Sequence, residues 1–356
     1  MHPSSVTRQP AGPMTATPAP TAPAATRPDS ERALFEAALR EAVGRQLHPR
    51  MRHIAHYHLG WADAEGRPTG TRGGKLIRPT LALLSARAAG GTVADGLPAA
   101  VAIELVHNFS LLHDDIMDGD TTRRGRATAW TVFGVPHTIL AGDAMAAAAT
   151  SALLDAPLPG ARRAATRLTT ATQRMISGQS ADVAFERRDD VTLTECVRMA
   201  GDKTGALLGC ACSLGAALAG AAPAPVERLA AFGEHIGLAF QLVDDLLGIW
   251  GDPDRTGKQV GADLRVRKKS LPVVAALNAP GSDELRALYL RSAPLTEPEV
   301  RRVADLVERA GGRDWARAEA DRRITAAREC LDGAGIADAP REEFLELARF
   351  VVGRRF

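Results

Sequence analysis

Residues 226–250, VERLAAFGEHIGLAFQLVDDLLGIW, repeat apolar side chains at three- and four-residue spacing. That spacing collects them on one face of a 3.6-residue helix and on neither face of a strand, whose repeat is two. The same period runs through ALFEAALREAV (33–43) and LPAAVAIELVHNFSLLHDDI (97–116). Pro79, Pro98, Pro136, Pro159, Pro223, Pro272, Pro298 and Pro340 punctuate the helical segments. No stretch alternates as a half-buried strand does, and no Rossmann glycine signature is present. GTRGGKLIRP (70–79) sets a glycine pair before a lysine, but without P-loop spacing or a preceding strand. The expected fold class is therefore all-α. No internal linker divides residues 31–356, which predicts one large helical domain around a common interior. From Ser282 onward the sequence reads as charged amphipathic helices with a packing role.

The first thirty residues are rich in Pro, Ala and Thr and poor in large apolar side chains, which predicts a disordered tail over 1–30. It holds no continuous apolar run of the secretory type, and its prolines spoil the amphipathic helix of a transit peptide. A net charge of +2, with no basic patch interleaved with aromatics, argues against a nucleic-acid partner. Cys196, Cys210, Cys212 and Cys330 have neither zinc-site nor CxxC spacing, and read as reduced thiols of a cytoplasmic protein. No apolar run reaches the roughly 18–20 residues of a membrane span. The nearest, ILAGDAMAAAATSALL (139–154), is interrupted by Asp143.

Chemistry concentrates at two helix ends. Asp114, Asp115 and Asp118 lie at i, i+1 and i+4, so Asp114 and Asp118 share a helix face with Asp115 at its flank. Close carboxylates repel each other, and a divalent cation removes the repulsion; all-oxygen donors favour a hard ion such as Mg²⁺. A solvated acidic helix end would look the same if it stood alone. A second cluster, DDLLGIWGD (244–252), again ends a strongly apolar helix, where carboxylates meet the unfavourable end of the helix dipole. Two such placements imply a requirement: several Mg²⁺ ions holding a polyphosphate between them. Cationic residues supply the complement: Arg123 and Arg124 after the first cluster, Lys203 in GDKTG, Lys258, Lys268 and Lys269 after the second, and Lys75 and Arg78 earlier. Arginine suits bidentate phosphate contact and lysine point-charge neutralisation.

GGKLIRP, LVHNFSLLHDDIMDGDTTRRGRATAW, GDKTG, GLAFQLVDDLLGIWGD and TGKQVGADLRVRKKSLP together resemble the polyprenyl synthetase family, the trans-isoprenyl diphosphate synthases. The resemblance runs in order over about residues 31–280. It implies an all-α fold with a deep central cavity, a homodimer, and head-to-tail prenyl transfer from an allylic diphosphate to isopentenyl diphosphate. It further implies that Asp114, Asp115, Asp118 and Asp244 ligate the Mg²⁺ ions, three in number, on the allylic diphosphate, with Asp245 a direct ligand or a supporting partner. Arg123, Lys203, Lys258 and Lys268 match contacts to that diphosphate, with Thr204 and Gln241 lining its site. Lys75, Arg78, His107 and Arg124 match the isopentenyl diphosphate site. His113 has no such match and reads as helix-end packing or a supporting partner.

The second motif departs from the family pattern at its fifth position, which is Gly248 instead of Asp. Bulky Phe109 and small Ser110, five and four residues before Asp114, are the expected chain-length residues; Met145 and Ala148 are further candidates. The combination resembles a geranylgeranyl (C20) synthase first, and a farnesyl (C15) synthase second. A class I terpene cyclase would have no use for the second diphosphate site, and a non-catalytic partner subunit would have no need of an intact DDIMD.

Overall fold

The computed structural model describes residues 29–69, 76–252 and 259–353. Residues 1–28 of the expected tail, and the expected substrate contacts Lys75 and Lys258, lie outside the described residues. The first helix, α1, already begins inside the expected tail and spans Asp29–Gln46, and α2 spans Pro49–His58. Next come α3 (Ile77–Ala88) and α4 (Val93–Met117), then two short strands, β1 (Thr122–Arg123) and β2 (Arg126–Ala127). They are followed by α5 (Ala129–Phe133), α6 (Val135–Leu154), α7 (Ala161–Phe185) and α8 (Leu193–Ala200). A π-helical turn, Gly201–Gly205, joins α8 to α9 (Ala206–Leu218), and α10 runs over Pro223–Trp250. The remainder is α11 (Ala262–Arg265), α12 (Leu271–Leu277), α13 (Asp283–Tyr289), α14 (Glu297–Arg309), α15 (Gly312–Asp332) and α16 (Asp338–Val352). The fold is all-α, as expected; the antiparallel pair β1–β2 is a hairpin of two residues a side.

Local chemistry sets the long helices. Thr92 caps α4 through a capping box with Asp95, and Pro98 falls in its early turns. Pro223 occupies the first turn of α10, where its missing N–H has no intrahelical partner to lose. α9, ALLGCACSLGAAL, is buried along its whole length, as a helix apolar on every side must be. It packs against α3, α4, α7 and α10, while α4 packs against α3 and α6 and α10 packs against α15. The acid-bearing C-terminal ends of α4 and α10 are thereby held in one bundle. All four cysteines are unpaired; Cys196, Cys210 and Cys212 are buried, and burial pushes the Cys210 thiol up to about 12. Among the described residues no helix is long and apolar enough to cross a membrane.

Candidate active site

Asp114 lies in the last turn of α4 and Asp118 is its C-cap residue, with the Asp118 N–H bonded to the Asp114 carbonyl. Burial pushes the Asp114 carboxyl up to about 6; Lys203 opposes the shift and Asp118 adds to it. Burial also raises Asp118, which feels Lys203, Asp120 and Asp182. Asp115 is placed differently. It is buried, its Oδ1 accepts from Arg123 Nε at 2.6 Å, and its Oδ2 receives no hydrogen bond from the described residues. Arg123 is thus tied back to the helix that it follows.

The hairpin turn explains how adjacent arginines reach different surroundings. Arg124 and Gly125 both have positive φ, 53° and 74°, the geometry of a two-residue type I′ connection. Arg126 docks the hairpin by donating to the carbonyls of Tyr57 and Ala62 and stacking on the Tyr57 ring at 4.5 Å. Arg124, at the tip, acts electrostatically on His58, Glu104 and His107. Those residues form a half-buried group with Arg78, whose Nη1 lies 3.4 Å from His107 Nε2. Burial, Arg78 and Arg124 hold His107 well below the ordinary histidine range, so its neutral ring can accept from the guanidinium. Arg78 itself is desolvated; Glu104 faces it, and among the described residues the Arg78 Nε has no hydrogen-bond partner. A desolvated guanidinium whose Nε finds no acceptor among the described residues is suited to receive an anion.

At the end of α10 the second member of the acid pair is likewise engaged. Asp245 is 2% exposed and saturated: Oδ1 accepts from Gln241 Nε2 and Lys268 Nζ, each at 2.9 Å, and Oδ2 from the Leu271 N–H at 2.9 Å. The last bond satisfies an open donor at the start of α12. Thr204 Oγ1 donates to Gln241 Oε1 at 2.8 Å, which extends the network to the π-helical turn. Burial works against the charge of Lys268, but Asp245 and Asp263 outweigh it and hold its pKa above the ordinary lysine range. The Lys268 carbonyl accepts from the hydroxyl of fully buried Tyr289, which fixes the backbone here. Lys269 turns away and lies over the Tyr289 ring.

The π-helical turn contributes Lys203, whose Nζ lies 2.5 Å from Asp182 on α7. Gly178 permits this approach: a Cβ there would come within 2.3 Å of the Lys203 backbone nitrogen. Asp182 feels both ends of the site, since it raises the pKa of Asp118 and supports the charge of Lys268. Asp182, paired with Lys203, therefore lies within electrostatic reach of both motifs: of Asp118 in the first and of Lys268, held by Asp245, in the second. A separate cleft of about 710 Å³ between α7, α9 and α10 contains none of these residues. Its Arg167 and Arg174 are paired with Glu227, Glu234 and Asp202.

Asp182, Glu104 and Asp263 had no sequence spacing that set them apart. Asp263 bears on the altered second motif. A Cβ built on Gly248 would lie 2.3 Å from Asp263 Oδ2, so the Asp263 carboxylate fills the space beside the fifth position. Asp263 also lies 3.6 Å from Lys268 Nζ. Gly248→Asp is accordingly expected to lower kcat by about tenfold, because two carboxylates would compete for one place. Steady-state rates with saturating substrates check this; a higher kcat would show that the glycine is a simple loss.

Residues 67–307 match the family model described as polyprenyl synthetase. The chain belongs to the polyprenyl synthetase family. It is 48% identical over 312 residues to a (2E,6E)-farnesyl diphosphate synthase of Mycobacterium tuberculosis, covering 86% of this chain and 87% of that one. It is also 48% identical over 286 residues to a geranylgeranyl diphosphate synthase of the same organism, covering 79% of this chain and 81% of that one. A polyprenyl synthetase from Streptomyces coelicolor A3(2) superposes with a TM-score of 0.86 at 51% identity, over 91% of this chain and 98% of that one. Like these polyprenyl synthetases, the chain is a prenyltransferase, a prenyl diphosphate synthase.

Proposed function

We propose that this enzyme condenses isopentenyl diphosphate with allylic diphosphates to a linear (E)-prenyl diphosphate, geranylgeranyl diphosphate (C20) in the first instance. The reach of Asp182, paired with Lys203, to both acidic motifs, beside a separate group of Arg78, His107 and Arg124, is the observation that carries this reading. Two diphosphates need two cationic sites, whereas a cyclase needs one. Farnesyl diphosphate is the second reading, supported by the 48% identical relative that bears that name.

The donor set fits Mg²⁺. Asp114, Asp118 and Asp244 offer oxygen alone, and desolvated Asp114 gains a counter-charge when a cation arrives. Among the described residues no three acidic, His or Cys side chains form a cage by themselves. That agrees with an ion that binds through one or two carboxylates and substrate phosphates. When bound, Mg²⁺ supplies Lewis-acid stabilisation of the departing diphosphate. The chain's own residues do the rest. Lys203, with Arg123 and Lys268 oriented by Asp115 and Asp245, faces the charge that develops on the leaving group. Thr204 and Gln241 line the reacting end, and Lys75 and Lys258 are assigned to the two diphosphates by resemblance. Arg78, His107 and Arg124 take the isopentenyl diphosphate, and the apolar interior keeps water from the carbocation.

In this reading Phe109, 7% exposed and set deeper along α4 than Asp114, forms part of the cavity floor. Ser110 turns its hydroxyl back to the His107 carbonyl at 2.8 Å and adds little bulk. Phe109→Ala is expected to lengthen the product by at least one isoprene unit, read by sizing the dephosphorylated alcohols. The exposed Val132, Val135, Ile139, Leu140 and Leu154 on α5 and α6, with Ile176 and Val183 on α7, suit a homodimer interface. A single helical domain and a cytoplasmic setting complete the proposal. The test of function is incubation with Mg²⁺, isopentenyl diphosphate and a C5, C10 or C15 allylic primer. A linear C20 alcohol after phosphatase treatment supports it; a cyclic hydrocarbon, or no product from any primer, overturns it.

A further inference from the structure

We infer that His113 is a positioning residue for product length: it holds Phe109 in place from the side of α6. The inference rests on the reading of Phe109 as part of the cavity floor. His113 follows Phe109 by one helical turn, and the two rings meet edge to face, with centroids 4.9 Å apart and planes at 76°. At its other edge the imidazole is fastened to α6, where Nε2 donates to the Ile139 carbonyl at 3.0 Å. The same nitrogen lies 3.8 Å from the Asp143 carboxylate.

α6 has a slot for this ring. A Cβ added at Gly142 would lie 2.4 Å from His113 Nε2 and 2.7 Å from Cδ2, so a larger residue would displace the imidazole. Met145, the next residue on that face of α6, is fully buried. An imidazole anchored at one edge and packed at the other is a fixed wall for Phe109. The space into which the Phe109 ring could retreat from a growing prenyl tail is the space that His113 occupies. Truncating His113 leaves the phenyl ring in the floor but gives it room to move.

The experiment compares wild type, Phe109→Ala, His113→Ala and the double variant, with Mg²⁺, isopentenyl diphosphate and a C15 primer, by sizing dephosphorylated products. His113→Ala is expected to raise the share of products one isoprene unit longer by about two- to tenfold, the weight of one edge-on ring contact. In the double variant the His113 change is expected to add nothing to Phe109→Ala, since the group that it positions is gone. His113→Gln keeps a donor for the Ile139 carbonyl without the ring; it is expected to behave as His113→Ala does, and replaces it if that variant unfolds. Unchanged product from both His113 variants, with Phe109→Ala lengthening it, overturns the inference and leaves the floor reading intact. Additive lengthening in the double variant also overturns it. Unchanged product from Phe109→Ala overturns the floor reading itself, and the inference with it.

Discussion

Asp114→Asn is expected to lower kcat by about a thousandfold, while melting within a few degrees of the wild type in the absence of metal. The substitution preserves shape and removes the anion. The charge on the Asp114 carboxyl is opposed by its surroundings, burial being the main cause, with Asp118 adding to it and Lys203 opposing. Removing that charge relieves the free protein and, on the proposed assignment, deprives the substrate complex of an Mg²⁺ ligand. The same carboxyl gives the wild type a pH signature. Folded and metal-free, it binds its proton up to about pH 6, above its ordinary 3.8, so this group favours folding below that range and loses that contribution as pH rises through about 6. His58 and His107, held below their ordinary range chiefly by desolvation, oppose this on acidification. The difference between melting temperatures with and without Mg²⁺ removes their contribution. It is expected to shrink as pH falls below about 6, because protons compete with the cation for the carboxylate. A difference constant from pH 5 to 8 would remove Asp114 from the ligand set.

Asp245→Ala is expected to destabilise the fold by about 3 kcal/mol and to abolish measurable turnover. The side chain accepts from Gln241, Lys268 and the Leu271 N–H, so its loss strands an amide, an ammonium and a helix-end donor together. Lys268 can regain some water, since its side chain is 35% exposed, which keeps the cost nearer the lower end for a broken buried pair. Asp245→Asn is the informative companion. Its amide oxygen can still accept from Leu271, so stability should recover more than activity, because the charge that orients Lys268 is absent. Denaturant unfolding and steady-state kinetics on the two variants separate the roles. Equal recovery of both would mean that Asp245 serves the fold alone.

The acidic and basic motifs were legible in the sequence because each lies in one short segment. A helix of known period puts Asp114 and Asp118 on one face without help from the rest of the chain. The all-α class was legible for a similar reason: apolar spacing is a local record of which face will be buried. The sequence did not separate the members of each aspartate pair. Asp115 and Asp245 are buried against Arg123 and Lys268, and that follows from the docking of the hairpin and of α12. Nor could spacing single out Asp182, which gains its place when Gly178 lets α7 reach the π-helical turn. At Gly248 the sequence shows an absent carboxylate, whereas the tertiary structure brings Asp263 against that position. Helical period and residue chemistry determined which groups this chain possesses and how they are spaced along each helix. Only packing decided that Asp115 and Asp245 each hold a neighbouring cationic side chain, because burial and the partner across the contact are properties of two segments at once.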